Sequence, residues 1–252
     1  MPDRNNFMAN SEIIENSTIL ENTGLRKMVL YTPEIAEPVK PGQLVHIKCG
    51  EALTLRRPFS IASADNETLT VCYDIRGKGT KWMAEQVPGA KISVLGPLGN
   101  GYTLYENKKA LLVGGGTGIY SLLSLAAKYK GNATVALGFR SAGLINYVDD
   151  FKKYGSRVSV ITDDKGFVTE LVREELESNR YDIVYMCGPT PMMKNAFKIV
   201  NEYDIECEAS MEEHMGCGVG ACMACVCKTI LGEYKRVCVD GPVFNAKEIL
   251  WL

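Results

Sequence analysis

Lys109–Tyr129 reads KALLVGGGTGIYSLLSLAAKY. An apolar run gives way to the glycines of Gly114–Gly118, broken only by Thr117. Beyond them Leu122, Leu125, Ala126 and Tyr129 recur at helical spacing. The stretch therefore predicts a strand, a tight turn and a helix. Glycines after a parallel strand let a diphosphate approach the backbone at the helix N-terminus. Alone, the same pattern is also that of any tight strand–helix turn. It is neither the G-x-G-x-x-G fingerprint nor a P-loop, since no Lys-Ser/Thr pair follows.

Downstream, Ala133–Phe139, Arg157–Thr162 and Asp182–Cys187 read as strands, with Phe167–Ser178 and Pro191–Glu202 as helices between or after them. Alternating strands and helices imply a parallel sheet. A second Gly/Pro turn, in Val184–Pro191 (VYMCGPTP), ends the last of these strands. Both turns would open on the one edge of the sheet where nucleotides bind.

Upstream, the short apolar runs Leu25–Tyr31, Gln43–Cys49, Phe59–Ala64, Thr68–Ile75 and Lys91–Leu95 are separated by turn formers such as PVKPG, ADNE and GPLGNG. Their spacing suits a small antiparallel barrel. In LRRPFSIA (Leu55–Ala62), Arg56 and Arg57 can fix a phosphate, or form a solvated pair at a strand start. Arg76–Thr80 (RGKGT) reads alone as a hairpin turn. The chain thus divides into a barrel at 1–104, an α/β unit at 105–206 and a Cys-rich tail at 207–252.

The chain has 252 residues, 46% apolar and 23% charged, with net charge -2. Nothing in that balance points to nucleic acid or an anionic membrane. No apolar run approaches the roughly 18 residues of a membrane span. The polar N-terminus MPDRNNFMANSEIIENS lacks the apolar core of a secretory signal. A cytoplasmic setting is expected, where thiols stay reduced, and the odd total of nine cysteines also disfavours disulfides.

Met215–Lys228 reads MGCGVGACMACVCK. Cys217, Cys222 and Cys225 stand as C-x4-C-x2-C, and Cys238 follows further on. This is the plant-type [2Fe–2S] spacing. Gly216, Gly218 and Gly220 suit a loop wrapped closely around an anionic cluster, with backbone N–H groups turned to sulfur. A four-cysteine zinc site is the rival, but zinc usually takes two C-x2-C knuckles and only Cys222/Cys225 form one. Metal-free buried thiols are the plainest alternative. Cys227 is a spare, and Cys49, Cys72, Cys187 and Cys207 read as small buried hydrophobes. His46 falls in a strand; His214, just before the loop, reads as loop-orienting or surface.

Together RRPFSI (56–61), GKGT (77–80), GPLGNG (96–101), GGGTG (114–118), CGPTPM (187–192), MEEHMGCGVGACMACVC (211–227) and VCVDGPVF (237–244) resemble the ferredoxin–NADP reductase superfamily. Within it the likeness is to the electron-transfer subunits of dihydroorotate dehydrogenase type B. The first five motifs are superfamily signals, and the cysteine segment with VCVDGPVF is far more specific. The resemblance implies a multidomain protein: an antiparallel β-barrel binding FAD, an α/β parallel-sheet domain binding a nicotinamide nucleotide, and a small C-terminal plant-type [2Fe–2S] domain. It implies that Arg57, Pro58, Phe59 and Ser60 hold the flavin side of FAD, with Arg57 on the pyrophosphate. Tyr73 and Asp74 fall on the next flavin-contacting strand, and Gly79 and Thr80 on the pyrophosphate turn. Gly114, Gly115, Gly116, Thr117 and Gly118, with Cys187, Gly188 and Pro189, would frame the nicotinamide nucleotide. Cys217, Cys222, Cys225 and Cys238 would ligate iron.

Members of the family often carry Arg where Asp74 stands, and a carboxylate near phosphates repels. Arg76, two residues on, is expected to supply the missing charge. Prolines often follow the family's glycine loop, where Tyr120 and Ser121 stand here. The resemblance further implies electrons passing from an FMN-containing catalytic subunit through [2Fe–2S] and FAD to NAD⁺, in pyrimidine (UMP) biosynthesis and in a heterotetramer of two copies of each subunit. No acid–base residue of this chain is expected to be catalytic. Phe139-Arg140-Ser141 leaves NADP open as the alternative nucleotide. Two other readings stand beside this one: a related reductase subunit serving a hydrogenase or a ferredoxin-linked transhydrogenase, and a non-redox module with structural zinc.

Overall fold

The computed structural model describes residues 7–251. The chain begins with β1 (Phe7–Thr18), β2 (Leu25–Tyr31), the single turn α1 (Pro33–Ala36), β3 (Leu44–Ile47), β4 (Arg57–Ala64), β5 (Thr68–Asp74), α2 (Lys78–Ala84) and β6 (Lys91–Leu98). The six strands close into an antiparallel barrel in the order β1-β2-β5-β4-β3-β6. Ile13, Met28, Leu30, Val45, Ile47, Ile61 and Val71 fill its core. Each such fully buried aliphatic side chain is worth about 1.5–3 kcal/mol.

Two features of the barrel differ from expectation. β1 was not anticipated, because FMANSEIIENST lacks a run of large apolar residues. Its alternation is nevertheless intact, since Ala9, Ser11 and Ile13 are buried in turn. It pairs with both β2 and β6, and so removes the free edges of the sheet. The RGKGT segment is a helix start and not a hairpin. The Thr80 hydroxyl accepts the N–H groups of Arg76 and Gly77 at 2.9 and 3.1 Å, and Met83 drops into the barrel core.

The second half comprises β7 (Ala110–Gly115), α3 (Ile119–Tyr129), β8 (Ala133–Phe139), α4 (Val148–Lys153), β9 (Arg157–Thr162), α5 (Val168–Ser178), β10 (Ile183–Cys187), α6 (Thr190–Glu202) and β11 (Glu206–Ser210). Strands β7–β11 are parallel, as the alternation predicts. The boundary expected at 206/207 falls inside β11, which continues the sheet beside β10. The tail then forms the cysteine loop and a small hairpin of β12 (Val226–Lys228) and β13 (Tyr234–Arg236). β14 (Val243–Asn245) returns antiparallel to β11, giving the order β14-β11-β10-β7-β8-β9. The cysteine segment is thus anchored in the nucleotide-type sheet at both of its ends.

GPLGNG and VCVDGPVF meet in space. Asn100 donates its backbone N–H to Gly241 at 2.5 Å and its side-chain amide to Asp240 at 2.9 Å. The segment joining barrel to sheet is pinned at Thr103, whose N–H donates to Glu208 at 3.0 Å and whose carbonyl accepts the Tyr185 hydroxyl. Among the described residues, no helix is long and apolar enough to cross a membrane.

Candidate functional site

A cleft of about 450 Å³ runs along the seam between barrel and sheet. Its barrel wall includes Pro58, Phe59, Ser60, Tyr73, Asp74 and Thr80, six of the residues singled out in the sequence. The opposite wall is Thr117, Tyr120 and the segment Ser210–Met215. A second cleft of about 430 Å³ shares Asp74, Arg76, Thr117 and Tyr120 with the first and continues to Arg140. The shared walls make one trough, of a size typical for a bound cofactor.

The remaining flavin-side candidates lie behind that wall. Arg57 folds onto its own chain, donating to Leu55 and Arg56 carbonyls at 2.7 and 3.2 Å. Gly79 packs under it, so that a Cβ there would meet the Arg57 side chain at 3.2 Å. Asp74 and Arg76 form an ion pair at 3.0 Å. The carboxylate that would repel phosphate is thereby neutralised, with Arg76 the more exposed partner. Glu212, at the cleft mouth, is pushed up from the usual carboxylate range by the desolvating walls, against the opposing charge of Arg76.

Tyr120 carries a direct sign of a polar ligand. Its ring is buried, and its hydroxyl makes no close hydrogen bond among the described residues, with Asn146 as its polar neighbour, although the residue lines both clefts. An unpaired buried hydroxyl costs on the order of 1–3 kcal/mol. A polar ligand in the trough would supply the closer partner. The sequence marked Tyr120 only as a departure from the family's prolines.

The glycine loop and the CGPTP turn come together at the sheet edge, as two parallel strands require. Gly118 touches the Cys187–Gly188 peptide so closely that a Cβ would lie 2.6 Å from three of its atoms. Gly114 and Gly115 are buried, while Gly116 and Pro189 face solvent and Thr117 borders both clefts. The Cys187 thiol is fully buried. Burial pushes it up to about 12, and its neighbours are the hydroxyls of Ser121, Ser210 and Tyr102.

Four of the six cysteines of the tail, Cys217, Cys222, Cys225 and Cys238, form two pairs. The Cys217 N–H donates to Cys222 Sγ at 3.4 Å, and the Val219 N–H donates to Cys217 Sγ at 3.4 Å. Cys225 and Cys238 are buried together, and burial with the neighbouring Cys225 thiol raises Cys238 to about 12. Burial also tends to raise Cys217, yet the N–H groups of Val219, Cys222 and Ala221 bring it down to about 7. Backbone donors aimed at sulfur are the setting a thiolate needs. Gly218 and Gly220, at φ of +76° and +81°, make the turns that aim them. Arg236 braces the loop, donating to the Gly220 carbonyl at 3.1 Å while paired with Asp240. Among the described residues, no three His, Cys, Asp or Glu side chains converge as a single ion would require. Two neighbouring thiol pairs are a grouping that a two-iron cluster can use. Cys227 points away from the pairs, its thiol facing the Lys235 carbonyl at 3.6 Å.

The loop rests on the barrel through two residues that the sequence did not single out for this role. Met215 lines the first cleft and also packs in the core that holds Cys225 and Cys238. His46 is fully buried, with neither ring nitrogen partnered among the described residues. Burial, and then the Arg56 charge, lower it to about 4, so its ring is neutral. His214, the histidine nearer the loop in sequence, is exposed in the cleft wall.

A closed antiparallel barrel, a parallel nucleotide-type sheet and a trough at their seam define a ferredoxin-reductase-type flavin reductase, here with an iron–sulfur segment attached. Comparison with solved structures agrees. A chain from the NADH-dependent reduced ferredoxin–NADP oxidoreductase, solved in a study of flavin-based electron bifurcation, superposes at TM-score 0.88 and 30% identity, over 96% of this chain and 90% of that one. The Amycolatopsis cytochrome P450 reductase GcoB shares the fold at TM-score 0.69 and 20% identity, over 81% of this chain and 70% of its own. The profile of the iron–sulfur cluster binding domain of dihydroorotate dehydrogenase B matches residues 212–250. Curated relatives from Caldanaerobacter subterraneus (42% identity, 84% of this chain and 87% of the relative) and Bacillus velezensis (41%, 96% and 98%) are both dihydroorotate dehydrogenase B (NAD(+)) electron transfer subunits. The chain belongs to that family.

Proposed function

We propose that this chain is the electron-transfer subunit through which a dihydroorotate dehydrogenase reduces NAD⁺, in pyrimidine biosynthesis. The observation that supports the reading is Met215, two residues before Cys217, which lines the trough and packs in the same core as Cys225 and Cys238. When bound, FAD exchanges hydride with nicotinamide and single electrons with a [2Fe–2S] cluster. The chain's own work is to hold these groups in register.

In this reading residues 1–104 form the FAD unit, 105–206 the nicotinamide unit and 207–252 the cluster unit. Pro58, Phe59, Ser60 and Tyr73 seat the flavin, while Arg57, Gly79 and Thr80, with the neutralised Asp74/Arg76 pair, meet the pyrophosphate. Gly114–Gly118 and Cys187–Pro189 frame NAD(H) at the sheet edge, where the glycine turn offers backbone N–H groups and Pro189, which has none, closes the second turn. Cys217 and Cys222 hold one iron, and Cys225 and Cys238 the other. Hydride exchange itself would need no acid–base side chain; the one proton that must join two single electrons before a hydride can leave would come from water in the open trough, so no side chain of this chain is given that role. The partner is an FMN-containing catalytic subunit, two copies of each forming the heterotetramer in the cytoplasm.

The test is an ultraviolet–visible spectrum of anaerobically purified protein, with iron, zinc and acid-labile sulfide assayed on the same sample, followed by orotate formation from dihydroorotate and NAD⁺ once the FMN subunit is added. Flavin bands, equal iron and sulfide, and orotate support the reading; zinc without flavin overturns it. The ratio of kcat/KM for NADH and NADPH with an artificial acceptor tests the nucleotide, and a clear NADPH preference would sink NAD. The likeness to the bifurcating oxidoreductase chain favours a second reading, service to a ferredoxin-linked transhydrogenase. The subunit that co-purifies separates the two.

A further inference from the structure

His46 stands on β3 of the barrel. Its neighbours Val45 and Ile47 point into the barrel core, which turns His46 outward with Leu44. Leu44 lines the flavin-side cleft and packs in the core that contains Met215, Cys225 and Cys238. His46 therefore lies where barrel, cleft and cysteine loop meet. Its ring edge abuts Gly218, the residue after Cys217: a Cβ on Gly218 would fall 2.7 Å from Nδ1 and 3.0 Å from Cε1. The loop thus closes over this imidazole at a position where, at φ of +76°, glycine is required.

A neutral imidazole carries one N–H donor and one acceptor. Both nitrogens of His46 are sealed from water with no partner among the described residues. The nearby backbone donors are already aimed at the cysteine sulfurs. The acceptors still to be supplied beside Gly218 are the sulfurs of a cluster. From this geometry we infer that His46 donates a ring N–H to a sulfur of the [2Fe–2S] cluster, either the Cys217 thiolate or the inorganic sulfide next to it, and thereby sets the cluster's reduction potential. The inference rests on the reading that Cys217 ligates such a cluster. A hydrogen bond to sulfur favours the reduced, more negative state. His46 is then a tuning residue reached from the barrel side, and it couples cluster chemistry to the wall of the flavin trough.

The chain has only two histidines, so labelling with ¹⁵N-histidine marks His46 and His214 alone. The full-length holoprotein is assayed for iron and sulfide, reduced, and examined by pulsed electron paramagnetic resonance. A ¹⁵N coupling on the reduced cluster that survives His214→Gln is expected. In a redox titration, His46→Phe should lower the reduced-to-oxidised ratio at a fixed potential about tenfold, equivalent to about 59 mV for a one-electron couple. His46→Asn, which keeps an N–H donor, should recover part of the loss. An exchangeable proton coupling from the imidazole N–H, lost in D₂O and in His46→Phe, is expected beside the ¹⁵N coupling. A loaded cluster without ¹⁵N coupling, a coupling found on the flavin radical instead, or an unshifted potential in His46→Phe overturns the inference. If His46→Phe does not hold its cluster, the labelled native chain decides. Protein that holds no iron or sulfide fails the underlying reading, which is a different result from a cluster without the coupling.

Discussion

At the scale of single residues, close contact and charge pairing decide most of what this trough can hold. Gly118→Ala forces a methyl group into the Cys187–Gly188 peptide, where no flexible side chain can yield. It should destabilise the fold by about 1–3 kcal/mol, as overpacking does, and raise KM for the nicotinamide nucleotide; chemical denaturation and steady-state kinetics read the two effects. The Asp74–Arg76 pair is exposed on its arginine side and adds less than about 1 kcal/mol to stability. Its value lies in charge at the trough. Arg76→Ala leaves Asp74 bare, so FAD retention should fall about tenfold or more with melting temperature nearly unchanged; unchanged retention on a desalting column would refute the role. The spacing of Cys217, Cys222, Cys225 and Cys238 was legible at this scale, because spacing is a local property of the chain. His46 was not. Nothing in QLVHIKC tells that its histidine faces a loop about 170 residues away.

At the scale of elements, the joints between barrel, sheet and tail rest on a few hydrogen bonds. β11 holds Glu208 against Thr103 in the connecting segment. Burial pushes the Glu208 carboxyl up, partly opposed by the bonds from Thr103 and reinforced by the charge of Glu206. The folded chain therefore binds a proton here more readily than the unfolded chain does. The stability from this group is fully present below the ordinary glutamate range and is lost as pH rises through the higher folded value. Glu208→Gln should flatten that slope and stabilise the protein at neutral pH by up to about 1 kcal/mol, which urea unfolding as a function of pH would show. In the tail, Arg236 ties the hairpin to the Gly220 carbonyl. Arg236→Ala should hasten cluster loss to a chelator several-fold while far-ultraviolet circular dichroism stays unchanged. The strands from β7 to β10 were readable because each pairs apolar periodicity with a clear turn. β1 hid its alternation behind Ala and Ser, and α2 hid its start inside a glycine-rich turn.

At the scale of the whole molecule, the cysteine segment is not a bead on a linker. It leaves the sheet at β11, crosses to the barrel at Gly218, and returns through Gly241 to the sheet at β14. Removing the cluster should therefore loosen both joints. Anaerobic chelation is expected to lower the melting temperature and to open the loop around residues 215–225 to protease before any other site; a melting curve indifferent to iron would count against that coupling. The sequence by itself determined the thiol spacing, the glycine turns and the succession of barrel, α/β unit and tail, since each depends on residues close in the chain. Only the tertiary structure decided that β1 closes the barrel, that β14 returns to the sheet, that Met215 joins the trough wall to the core of Cys225 and Cys238, and that His46 meets the loop at Gly218. Those outcomes depend on which distant surfaces can bury one another, and packing of that kind has no local period for a sequence to display.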